Sequence, residues 1–115
     1  MRIDAKNPPR RFAVGDGSIR IADCGDITLG PDEQVSFVTR AGKRHDFAAK
    51  DWGFYATPSV NGRLKREGFK TALVRNPLGQ VYVMVVDGAR LEAFRAYCRD
   101  QDQTVLEWLD ERPLA

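Results

Sequence analysis

The chain has little of what most recognisable chemistries need. It contains one His and two Cys in 115 residues. Zinc sites are built from about four Cys, His or carboxylate ligands. A structural site would therefore need Cys24, Cys98, His45 and a carboxylate to converge from distant parts of the chain, so no metal or cofactor is expected. There is no G-x-G-x-x-G, no P-loop, no H-E-x-x-H, no C-x-x-C and no G-x-S-x-G. These gaps argue against dinucleotide oxidoreductases, P-loop NTPases, zinc proteases and α/β-hydrolases. The longest apolar run, Val81–Val86, is six residues, far short of the ~20 that span a bilayer. Residues 1–9 lack an apolar core segment of the kind that marks secretion. The expectation is a cytoplasmic protein without membrane contact, whose two thiols stay reduced.

What remains is the composition of one globular domain. Hydrophobic residues make up 43% of the chain and charged residues 30%, with a net charge of +2. Pro8-Pro9-Arg10-Arg11 disfavours a helix, so residues 1–10 read as an extended arm and 11–115 as a single domain.

From Phe12 to Ala49, short apolar runs are divided by turn residues, such as Gly15-Asp16-Gly17-Ser18 and Asp23-Cys24-Gly25-Asp26. This pattern predicts strands and hairpins. Gln34–Thr39 and Arg44–Ala49 read as strands around a connection containing Gly42. Phe69–Arg75 and Gln80–Val86 flank Asn76-Pro77-Leu78-Gly79, with Pro and Gly where a type I turn prefers them. Ala72-Leu73-Val74 and Val81–Val86 show little polar alternation, which predicts central strands buried on both faces.

Asp87 can cap a helix from about Ala89 to Gln101, because Leu91, Phe94, Tyr97 and Cys98 share one helical face. Thr104–Leu109 reads as a last strand. The expected fold is α+β: a mostly antiparallel, curved sheet of six to eight short strands with one C-terminal amphipathic helix packed on it.

The strongest functional signal is charge segregation. Residues 40–75 hold nine Lys/Arg against three acids, a local charge of +6, while the rest of the chain carries −4. Trp52, Phe54, Tyr55 and Phe69 lie in the same stretch. Basic groups interleaved with rings suit phosphates and bases, although Trp52 and Phe54 also alternate as core residues do. Residues 57–68 form a long connection, and such loops often carry function. The candidate ligand-binding residues are Trp52, Tyr55, Thr57, Ser59, Asn61, Arg63, Lys65 and Arg66, with His45 as a further contact. The competing structural roles are a turn at Asn61-Gly62 and capping by Ser59.

Neighbouring Asp23 and Asp26 disfavour Cys24 as a nucleophile. Cys98 reads as a core residue. No catalytic residue is assigned. The primary reading is a small non-catalytic binding or accessory module that recognises an anionic small molecule or a protein partner through segment 50–70. The alternatives are a single-stranded RNA-binding module and an enzyme of unrecognised type using His45 or Tyr55 with Arg63. Homodimerisation through the Val81–Val86 run or the last strand is a further possibility.

Overall fold

The computed structural model describes residues 1–114. Among the described residues, eight strands and one C-terminal α-helix make a mostly antiparallel α+β protein, and the strands fall into three small sheets. By contacts the chain forms two compact units. The first comprises Met1–Phe37 and Asp46–Thr57. The second comprises Val38–His45 and the chain from Pro58 onward.

In the first unit, β1 (Arg2–Val14) pairs with β2 (Ile19–Thr28) as a long ribbon. Residues 2–10, read as an arm, are the first part of β1. The ribbon turns at Gly15–Ser18, where Asp16 Oδ1 accepts from the Ser18 N–H at 2.9 Å, as a turn aspartate does. Its register shifts between Ala5 and Arg10. Near that shift Gly25 has φ 152°, and a Cβ there would run into the Asp4 carbonyl oxygen, so the close approach of the two backbones requires glycine. Lys6 Nζ binds Asp23 Oδ2 at 2.6 Å across the ribbon, and that hydrogen bond holds the Asp23 carboxyl below its ordinary range. Cys24, on β2, is an exposed free thiol.

A three-stranded sheet orders β3 (Gln34–Val38), β4 (Arg44–Lys50) and β5 (Gly53–Ala56), with β4 central. Within the first unit the buried side chains are few: Ala48, Ala49 and Asp46, whose Oδ1 accepts from Ser36 Oγ at 2.5 Å.

The second unit holds the larger core. Its sheet orders β7 (Val81–Asp87), β6 (Phe69–Arg75) and β8 (Thr104–Trp108). The short helix α1 (Arg63–Arg66) buries Leu64, and the longer helix α2 (Leu91–Asp100) buries Cys98. Phe69, Ala72, Val74 and Val86 complete the apolar centre. Phe94 of α2 meets Trp108 of β8 edge-on, with ring centroids 5.7 Å apart, which seats the apolar stripe of the helix on the sheet. Asp87 acts as the expected cap: its Oδ1 accepts from the Ala89 N–H at 3.0 Å, opening a 3₁₀ turn that precedes α2.

One polar anchor sits inside this unit. The Asp110 carboxylate, buried, accepts from the Thr71 N–H at 2.9 Å and from Lys70 Nζ at 3.0 Å. Burial pushes the Asp110 carboxyl up, but the Thr71 and Lys70 bonds outweigh it and leave the group below its ordinary range. The Lys70 side chain also lies over the Trp108 ring, 4.9 Å from its centroid.

The strand expectation for Val81–Val86 needs correction. The segment is a strand, but it lies at an edge of its sheet and not at the centre; Val81 and Val83 are 54% and 64% exposed. An uninterrupted apolar run reads alike whether it is covered on both faces or left without a neighbour.

Candidate functional site

The expected site residues divide between the two units. Trp52, Tyr55 and Thr57 belong to the first, whereas His45, Ser59, Asn61, Arg63, Lys65 and Arg66 belong to the second. The charge divides with them. The first unit carries six Lys/Arg and eight acids, net −2; the second carries twelve Lys/Arg and eight acids, net +4. The aromatic and basic halves of segment 50–70 are thus carried by different compact units.

The aromatic half is built on the β4–β5 hairpin. The strands pair in the register Lys50↔Gly53, Ala49↔Phe54 and Ala48↔Tyr55, so Asp51 and Trp52 form the tip. Gly53, at φ 142°, supplies the backbone conformation that lets the chain reverse in so few residues. Trp52 is 69% exposed and stacks on the half-exposed Tyr55, with centroids 6.3 Å apart and planes 28° from parallel. Lys50 Nζ lies 6.0 Å from the Tyr55 centroid and binds Asp32 Oδ1 at 2.5 Å. That hydrogen bond raises the Lys50 ammonium pKa and matches its charge. Phe54 projects to the opposite face of the strand and is 71% exposed. Its spacing from Trp52 is that of a core residue, yet both rings are exposed, and the buried side chains of the hairpin are those of Ala48 and Ala49.

Thr57 closes this hairpin and is engaged in it. Its N–H donates to the Asp46 carbonyl at 3.0 Å, and its hydroxyl donates to Gln34 Oε1 at 2.7 Å.

The basic half surrounds α1. Ser59 Oγ accepts from the Arg63 N–H at 3.1 Å, and its carbonyl accepts from Gly62 and Leu64. Ser59 therefore orders the start of the helix. Asn61 lies in the exposed turn before it. Arg63 Nε lies 3.9 Å from Glu67 Oε1. Lys65 Nζ donates to the Asp110 carbonyl at 3.3 Å. Arg66 is exposed. The His45 ring lies beside Phe69 at 6.3 Å, and Lys43 Nζ covers the same ring at 4.7 Å while donating to the Glu67 carbonyl.

Lys50, beside the Tyr55 ring, and the exposed Phe54 were not among the expected site residues. The signal available for Phe54 was its place among three rings in four positions. Among the described residues, no group of three His, Cys, Asp or Glu side chains is placed to hold a metal ion, and no helix is long and apolar enough to cross a membrane. Searches against family models, curated proteins and solved structures found no match for this chain.

Proposed function

We propose that this chain is a non-catalytic binding module that engages a protein partner through the β4–β5 hairpin, with Trp52 and Tyr55 as anchors. The observation that carries this reading is the exposed ring pair: Trp52 at 69% exposure, stacked on Tyr55. Large rings left in water are costly unless something covers them, and clustered ones mark contact surfaces. Trp and Tyr are also the residues on which protein interfaces concentrate their energy. The stack holds both rings in place before contact, which reduces the ordering cost of binding.

A protein surface suits the pair better than a polyanion does. The unit that carries the rings is net negative, and Lys50, the cation beside them, is matched by Asp32. Nucleic-acid affinity rests on unmatched positive charge.

The test begins with a photoreactive residue at position 51, the exposed tip position beside the two rings, to capture and identify the contacted protein. Titration of the purified partner follows. Trp52→Ala is expected to weaken binding at least tenfold with folding unchanged. An affinity untouched by Trp52→Ala and Tyr55→Ala overturns the proposal. So does quenching of Trp52 fluorescence by a single-stranded oligonucleotide at low salt, which would establish the nucleic-acid reading instead.

A further inference from the structure

The strands at the edges of the three sheets differ in how they are protected. β8 is interrupted by a register shift against β6 and carries Glu107; β3 and β5 are only five and four residues long. β1 and β2 carry charges and their own register shift, and β1 holds Pro8 and Pro9. These are the devices by which proteins blunt a sheet edge. β7 has the fewest of them: its one charge, Asp87, is its last residue, Val81–Val86 holds no charge and no proline, and its register with β6 runs unbroken from Arg75↔Val81 to Phe69↔Asp87.

The hydrogen-bond phase of β7 can be read from its two ends. Asn76 N–H donates to the Gln80 carbonyl at 2.9 Å, and Gly88 N–H donates to the Gly68 carbonyl at 2.8 Å. Bonded and non-bonded pairs alternate along an antiparallel ladder. Residues 82, 84 and 86 therefore face their backbone groups toward β6. Val81, Val83, Val85 and Asp87 face theirs away from it, along the free edge.

We infer that two copies of this chain pair through β7, antiparallel about a two-fold axis at Met84, joining their three-stranded sheets into one of six strands. This register is singled out because it uses every outward group. Val83 meets Val85 of the partner subunit, and Val81 meets the partner's Asp87, giving about eight bonds across the interface. The exposed valines then share one face, and no like charges are opposed, because the strand has none before Asp87. The flanking charges are complementary. Arg75 pairs with Val81 on the same face as Asp87, so the partner's Arg75 lies two strand spacings, roughly 10 Å, from Asp87. An extended guanidinium side chain and a carboxylate close that gap. Isologous pairing of this kind needs a self-complementary patch, and β7 is one.

Sedimentation velocity across a concentration series tests the inference. The wild-type chain is expected to dimerise, and Val83→Lys, at an exposed position, to weaken the dimer at least tenfold with the melting temperature unchanged. Val83→Pro removes an outward N–H that β6 does not use, and is expected to do the same. In a Cys24→Ser background, Met84→Cys is expected to cross-link to itself on mild oxidation, since non-bonded antiparallel pairs lie about 4.5 Å apart at Cα. Thr104→Cys on the β8 edge is expected not to. A wild-type chain that stays monomeric at about 100 µM overturns the inference, as does a dimer that survives Val83→Lys or cross-linking at position 104 in place of 84. The Trp52 variants leave this dimer intact, so failure here is distinguishable from failure of the partner proposal.

Discussion

Val74, in the middle of β6, is fully buried, while Trp52, at the tip of the β4–β5 hairpin, keeps 69% of its surface in water. The contrast extends to the units around them. The second unit encloses Leu64, Phe69, Ala72, Val74, Val86 and Cys98 together with the Asp110 anchor; the first encloses two alanines and an aspartate. Burying a large aliphatic side chain stabilises by about 1.5–3 kcal/mol, whereas an alanine contributes far less. A two-stranded ribbon such as β1–β2 is marginal by itself in water. The second unit thus encloses a core of large apolar side chains, whereas the first encloses none. The difference teaches that apolar content and apolar burial are separate quantities: both units are rich in large apolar residues, and only the second encloses any of them.

The comparison can be broken most directly at Leu64, which is 1% exposed. Leu64→Ala is expected to cost about 2–5 kcal/mol by urea unfolding. A cost near zero would mean that the second unit has no load to lose.

Asp110→Asn comes next, at about 1–3 kcal/mol, because it removes the charged acceptor shared by Thr71 and Lys70. Its pH dependence is specific. The folded carboxyl is held below its unfolded value, so its contribution is present above the unfolded pKa of about 4 and disappears as pH falls through the folded one. The gap between wild type and Asp110→Asn is expected to close in acid. A gap independent of pH would show that the carboxylate charge is not what is lost.

In the first unit Gly25→Ala is expected to cost about 1–2 kcal/mol, through the strained φ and the clash with the Asp4 carbonyl. Hydrogen exchange should show faster opening of the ribbon amides while those of β6 hold. Equal acceleration in both places would mean that the two units open together. The smallest expected effect is Trp52→Ala, within about 0.5 kcal/mol, as for an exposed position. A loss of several kcal/mol would show the ring to be structural.

Much of this contrast was legible in the sequence where the signal is local. The turn at Asn76–Gly79, the cap at Asp87 and the apolar spacing of Leu91, Phe94 and Cys98 depend on neighbours a few residues apart. The Asp110 anchor joins groups about forty positions apart and left no local trace. The edge position of β7 was hidden because hydrophobicity does not record which strand lies alongside. The basic and aromatic halves of segment 50–70 read as one stretch because sequence does not record which compact unit a residue joins. Residues 52 and 63 are close in sequence, but the chain leaves one compact unit for the other between Thr57 and Pro58.

Each unit also carries one thiol and one indole: Cys24 and Trp52 in the first, Cys98 and Trp108 in the second. Cys24 is exposed, whereas burial shields Cys98 and pushes its thiol pKa up. Alkylation should therefore be prompt at the first and wait on the opening of α2 at the second. The unaltered chain thus carries a clock for the opening of its second unit, with the exposed Cys24 as a fast internal reference.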